Sequence, residues 1–250
     1  MLTCAHSAGL LSSFVAHHPE KCKAAVFLSI PYRSAELGLE HLVTTVDRDM
    51  YPEDQYPYGQ WDYMRFYEEN FEKAVAYFES EIPGLAKAVY SRNPPAPLDK
   101  PAIFSTVRQR GSFFGPNGPP KPEEVPFELL VDQETLDAFI AAMQKTGFAP
   151  ACAWYMNHKE NHAYNLNVPN DGVLEIPVLC ISSTYDGACL PQSRLGDEMR
   201  RLCKNLTEIT LDANHWIQVE KPNETNAALA RFIVEKVPGE WPVSWNKPKA

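Results

Sequence analysis

A chain of 250 residues, 44% hydrophobic and 22% charged, has the make-up of a globular protein with one large domain or a core plus a second unit. Its net charge of −9 argues against nucleic acid or an anionic membrane surface as partner. No run approaches the roughly 20 apolar residues of a membrane span. Met1 is followed by neither a basic nor an apolar leader segment, so a cytoplasmic location is expected.

The chain opens MLTCAHSAGLLSSFVAHHPE, with a helical pattern from Leu10 to His17. Within it, Ala5-His6-Ser7-Ala8-Gly9 fits small-x-Ser-x-Gly, the turn that exposes a nucleophilic hydroxyl between a strand and a helix. On that motif alone Ser7 is an acyl-transfer nucleophile. AAVFLSI (24–30) follows as a short apolar run of the kind that makes a buried parallel strand. From about 33 to 172 no such run recurs. WDYMRFYEENFEKAVAYFES is amphipathic and aromatic, and NPPAPLDKPAIFSTVRQRGSFFGPNGPPKPEEVP reads as a long surface loop. VDQETLDAFIAAMQKTGF predicts a helix with Asp132 as N-cap, with Leu136, Phe139, Ile140 and Met143 at helical spacing and Gly147 as the stop.

Two further strands are expected at VLCISS (178–183) and TEITLD (207–212). Helices are expected from Gln192 to Leu202 and from Ala227 to Val237, the latter with Leu229, Phe232 and Ile233 on one face. Counting Met1 to Cys4, this alternation predicts an α/β fold with about four parallel strands, flanking helices and an inserted helical unit. The expected division is a core of 1–32 and 173–250 with a helical lid over 33–172. Cys4, Cys22, Cys152, Cys180, Cys189 and Cys203 form no C-x-x-C pair. They read as reduced and mostly buried thiols, with no disulfide framework, metal site or cofactor called for.

The segment TLDANHWIQVEKPNETNAALARFI places His215 directly after a strand and ahead of W-x-Q-x-x-K-P-x-E-x-N and a helix. It resembles the histidine segment of the epoxide hydrolase family within the α/β-hydrolase superfamily. The resemblance implies that His215 is a general base. It also implies that Asp186, in VLCISSTYDGACLP, is the acid that fixes the imidazole tautomer. Asp212 is too close to His215 in sequence for that arrangement. GFAPACAWYMN, with Tyr155, and QWDYMRFY, with Tyr63, are similar to the two tyrosine segments of the family's lid. There, a pair of phenols donates to the epoxide oxygen and stabilises the alkoxide. LSIPY (28–32) resembles the turn that leads into the lid.

At the N-terminus the family pattern is G-H-D-W-G-S/G and then a helix ending in H-P-E. Aligned without gaps on His18-Pro19-Glu20 and Pro31, the nucleophilic aspartate falls on Ala5. Taking Ser7 instead requires losing two residues from the following helix, which turns its buried face by about 200°. The ungapped register is therefore preferred, with the nucleophile position degenerate. It closes the route through an alkyl-enzyme ester. It leaves non-covalent chemistry, with the tyrosines donating while His215–Asp186 deprotonates water or a substrate hydroxyl. The H-G-x-P loop and the early strands of the family have no counterpart here, so the expectation is an N-terminally shortened member, or an incomplete gene model. An exposed sheet edge would then lead to self-association. The expected substrate is an epoxide or related oxygenated apolar small molecule. HHPEKC, LSIPY and the proline loop look most like fungal members, implying a secondary-metabolite pathway. The rival readings are a catalytically degenerate binding or interaction protein and a serine esterase using Ser7.

Overall fold

The computed structural model describes residues 2–4, 6–190 and 193–240. Its centre is a four-stranded parallel sheet in the order β1 (Leu2–Cys4), β2 (Ala25–Leu28), β3 (Leu174–Ser183) and β4 (Cys203–Leu211). Val26 pairs with Leu2 on one side and Leu179 on the other, and Ile181 of β3 lies opposite Ile209 of β4. The register shifts between Leu174 and Pro177, where the proline cannot donate to the ladder. β2, β3 and β4 fall on the three runs read from the sequence, and β1 is the short strand expected before Ala5; β3 starts four residues earlier than expected, at Leu174. β4 begins earlier than the apolar pattern suggests, because Lys204, Asn205 and Glu208 face solvent on an edge strand.

Both faces of the sheet are covered, as the continuous apolar runs require. The two-residue period of the strands divides the core. Phe27, Val178 and Cys180 point into one cluster with Leu11 and Val15 of α1 (His6–His17). Met199 and Leu202 of a later helix, Asp197–Leu202, join the same cluster. Leu28, Leu179 and Ile181 point the other way, against Ile217, Ala228 and Phe232. Those three sit on the C-terminal helices Ile217–Glu220 and Pro222–Lys236.

Between β2 and β3 the described residues form no named strand, only an isolated bridge of Ser91 with Leu129. The helices there are α2 (Gly38–Thr44), α3 (Asp62–Glu69), α4 (Phe71–Glu79), α5 (Ile82–Val89), α6 (Val107–Arg110), α7 (Gln133–Thr146), α8 (Ala149–Ala153) and α9 (His158–Leu166). The remaining helices are α10 (Asp197–Leu202), α11 (Ile217–Glu220) and α12 (Pro222–Lys236). Asp132 caps α7 by accepting from the Thr135 amide at 2.7 Å, and Gly147 ends it at φ 69°. The aromatic stretch that reads as one amphipathic pattern is two helices. Asn70 breaks it at φ −137°, its side-chain amide donating to the Phe66 carbonyl at 3.2 Å in competition with the helix ladder. The bend lets Phe66 of α3 and Phe78 of α4 enter one cluster with Leu85, Val107 and Cys152.

The chain leaves and re-enters the sheet through a cross-tied junction. The Tyr32 hydroxyl donates to the Gly172 carbonyl at 2.7 Å, and the buried Arg33 guanidinium donates to the Asn165 carbonyl at 2.8 Å. Glu36, 3% exposed, accepts from the Ser12 hydroxyl at 2.5 Å and from the Ser34 amide at 3.1 Å, which joins α1 to the same junction. Burial is the main influence on the Glu36 carboxyl and raises its pKa, against opposing hydrogen bonds and the Arg33 charge.

Candidate active site

The candidate residues Asp186 and His215 lie in loops at the carboxyl ends of the strands, where a parallel sheet exposes its loops. β3 ends at Ser183 and the chain turns through Thr184 and Tyr185 to Asp186. β4 ends at Leu211 and the next turn carries His215. The Thr184 amide donates to the Leu211 carbonyl at 3.0 Å and the Tyr185 amide to the Ala213 carbonyl at 3.0 Å, so the two loops are bonded side by side. His215 Nδ1 lies 2.7 Å from Asp186 Oδ2. The Asp186 side chain is 2% exposed and that of His215 34%, so the acid is enclosed while part of the imidazole is open.

Asp186 Oδ1 accepts from the backbone amides of Ala188 at 3.1 Å and Cys189 at 3.2 Å. Burial alone pushes this carboxyl up. The charge of His215, its hydrogen bond and the two amides outweigh burial and hold the group below its ordinary value. Asp186 is therefore a carboxylate with a fixed direction. It selects the tautomer with the proton on Nδ1, leaving Nε2 with its lone pair.

Tyr63 of α3 and Tyr155, just after α8, meet edge to face with centroids 5.8 Å apart and planes at 83°. Both pack against the sheet cluster and the helix cluster, so they lie at the seam between the two. Phe104 and Tyr67 flank Tyr63 at 6.1 and 5.8 Å, making an aromatic wall. Burial raises the Tyr63 phenol, with Tyr155, Cys189, Tyr67 and Asp186 adding to it through their charges. Burial raises the Tyr155 phenol too, against a smaller lowering by the Tyr63 hydroxyl. Both phenols stay protonated and can act as donors.

The structure thus brings together His215 and Asp186, and places Tyr63 against Tyr155 within electrostatic range of Asp186. Ser7 is exposed in the first turn of α1, and no described contact joins it to the other four. Ala5, where the ungapped register puts the lost nucleophile, lies outside the described residues. The Tyr155 segment lies over the same helix, since a Cβ on Gly9 would meet Trp154 at 3.3 Å. Asp212 is exposed. Among the described residues no group of three or more His, Cys, Asp or Glu could hold a metal ion.

Several supporting residues carried no signal that single-sequence reading could use. The Ser29 hydroxyl donates to the His215 carbonyl at 3.3 Å from a residue at φ 63°. Gln60, next to the tyrosine segment, is buried and donates to the Ala188 carbonyl at 3.4 Å. Trp216 Nε1 donates to the Val89 carbonyl at 2.9 Å, and its ring stacks on Tyr90 with centroids 5.1 Å apart. The Asn214 amide reaches the Asn93 carbonyl at 3.2 Å. The histidine turn is thus tied to the C-terminal end of α5 and the loop after it.

No protein-family model matches the sequence. Among curated proteins, Epoxide hydrolase A of Mycobacterium tuberculosis is 28% identical over 191 residues, which is 73% of this chain and 58% of that protein. Bifunctional epoxide hydrolase 2 of Mus musculus is 26% identical over 117 residues, 46% of this chain and 21% of its own. The chain therefore spans little more than half the length of the mycobacterial relative. Among solved structures, Epoxide Hydrolase A from Mycobacterium thermoresistibile superposes with a TM-score of 0.60 at 22% identity, over 90% of this chain and 66% of the other. Epoxide hydrolase I of potato, Solanum tuberosum, gives 0.61 at 20% identity, over 93% and 68%. These structures share an α/β-hydrolase fold, of which this chain has a part.

Proposed function

From its place in the epoxide hydrolase family of the α/β-hydrolase fold, we propose that this protein opens an epoxide, or a closely related oxygenated apolar molecule, by tyrosine-assisted attack of a base-activated nucleophile. The helices from 33 to 172 act as a lid over a core of 1–32 and 173–250. His215, Asp186, Tyr63 and Tyr155 form the site. The observation that carries the reading is the 2.7 Å bond between His215 Nδ1 and Asp186 Oδ2, beside a pair of half-buried tyrosines at the same seam.

The chemistry follows from the donors present. With Nδ1 holding its proton against Asp186, His215 Nε2 takes a proton from water as the water oxygen bonds to a ring carbon. The ring C–O bond breaks and its electron pair goes to oxygen. That oxygen takes a proton from Tyr63 or Tyr155, and the product is a vicinal diol. The phenolate regains its proton from the imidazolium through solvent. If a substrate hydroxyl replaces water, the same steps give a cyclic ether. An alkoxide is a poor leaving group in an apolar pocket, so phenols held protonated by burial supply what the ring opening needs. The same reading includes a substrate from a fungal secondary-metabolite pathway, a cytoplasmic location and self-association through the sheet edge. No helix among the described residues is long and apolar enough to cross a membrane.

The test is diol formation from an aryl epoxide in ¹⁸O-labelled water. One labelled oxygen in the diol, lost in both Tyr155→Phe and His215→Gln, is the expected result. Turnover that survives both substitutions would remove this site from the reaction.

A further inference from the structure

Resting on the His215–Asp186 pair as the base, we propose that Glu220 is the positioning residue of His215. Its carboxylate reaches back from α11 and accepts from both sides of the histidine. Oε2 takes the Asn214 backbone amide at 3.0 Å and the Asn214 side-chain amide at 3.4 Å, and Oε1 takes the Trp216 backbone amide at 3.2 Å. The carbonyl of His215 is held from the other direction by the Ser29 hydroxyl at 3.3 Å. The main chain is therefore gripped at Asn214, His215 and Trp216, three residues in a row.

A helix cap alone does not ask for this. The donors left over at the start of a helix are its first amides and that of the residue before it. Trp216 N–H is such a donor, and a carboxylate on α11 would meet it as an ordinary cap. Asn214 lies two residues further back, across His215, and bonding it fixes where the histidine backbone sits rather than where the helix begins. The partner is already immobile, because Asp186 is enclosed and its Oδ1 is committed to the amides of Ala188 and Cys189. Slack in the pair then comes from the histidine side, where Ser29, Val89 and Asn93 each hold one point of the turn and Glu220 alone accepts from the main chain on both sides of the histidine. An acceptor-only carboxylate suits a turn whose inward groups are all N–H, and hydrogen bonds to a charged acceptor are stronger than neutral ones.

The test reads the histidine and does not depend on turnover. In the wild-type chain, NMR should show a low-field Nδ1–H proton on His215, lost in Asp186→Asn. In Glu220→Ala its exchange with solvent should be at least roughly tenfold faster, the effect of losing even one of the three hydrogen bonds to this charged acceptor. Glu220→Gln keeps the size and one accepting oxygen, and should exchange several-fold faster than wild type. Should Glu220→Ala fail to fold, Glu220→Gln decides. A folded Glu220→Ala or Glu220→Gln variant with a lowered Tm and unchanged exchange would make Glu220 a helix cap and overturn the proposal. A wild-type chain without the low-field proton would refute the His215–Asp186 pair and the proposal with it. Failure of the diol assay alone would refute the epoxide reading and leave the exchange result standing.

Discussion

Asp186→Asn separates the chemistry of the site from its stability. The two carboxylate oxygens have different duties: Oδ1 takes the amides of Ala188 and Cys189, and Oδ2 takes His215 Nδ1. An asparagine keeps both backbone bonds only with its carbonyl at the Oδ1 position, which aims its NH₂ at His215. Flipping the amide would sacrifice two bonds to save one. The imidazole must then change tautomer, accept at Nδ1 and carry its proton on Nε2. The bond to His215, charge-assisted at about 1.5–3 kcal/mol, becomes a neutral one of about 0.5–1.5 kcal/mol and the two amide bonds keep their acceptor but lose its charge, while the burial penalty on the carboxylate disappears and offsets most of the amide loss. The net loss is about 1 kcal/mol, or roughly 2–4 °C in Tm for a chain of this size. Activity should fall by about 10⁴-fold, the magnitude seen when the same exchange is made in a serine protease triad. Thermal unfolding and imidazole ¹⁵N shifts measure the two effects independently. An Asn variant that keeps the Nδ1–H tautomer, or one that loses more than about 10 °C, would refute the division of labour between the oxygens.

Four other outcomes are expected. The Asp186 carboxylate has a lowered pKa when folded, so its contribution to stability is present above the ordinary value of 3.8 and lost as pH falls through the folded value; acid unfolding of wild type against Asp186→Asn measures this. Glu36 is shifted the other way, and wild type should lose stability as pH rises from 4.5 through its raised folded value. The Tm of Glu36→Gln should therefore gain on wild type over that range, and a constant difference would contradict it. Gly84→Ala should destabilise by about 2 kcal/mol although alanine is the better helix former by about 1 kcal/mol, because its Cβ would fall 1.8 Å from the Pro120 carbonyl oxygen; urea denaturation gives the sign. Ser7→Ala should change little, while Ala5→Asp combined with His215→Gln should accumulate an ester adduct on incubation with an aryl epoxide. Labelling of wild-type Ser7 by a fluorophosphonate, or no adduct on the Ala5→Asp side chain, would count against the ungapped register.

The strands were legible because burial on both faces leaves a local mark. AVFL of β2 and VLCI within β3 are unbroken apolar runs, and no tertiary information is needed to see that they avoid water on both sides. The N-cap at Asp132 and the stop at Gly147 were legible for the same reason, since capping is decided within one turn of chain. The segments holding His215, Asp186, Tyr63 and Tyr155 could be picked out by their likeness to a family. What brings any two of them together is not local. Asp186 and His215 are 29 residues apart, and their 2.7 Å contact exists because β3 and β4 pair in parallel with Ser183 opposite Leu211, so both loops leave the sheet at one level. The bend at Asn70 is only partly local: its side chain competes with the helix ladder, but the amphipathic period runs on through it, and the shared cluster of Phe66 and Phe78 is what rewards a turn there. Glu220 carries no sequence mark as a partner of Asn214. Its carboxylate reaches that amide because α11 starts immediately after the histidine turn, and a chain direction set by packing of Ile217 under the sheet decides where that helix starts.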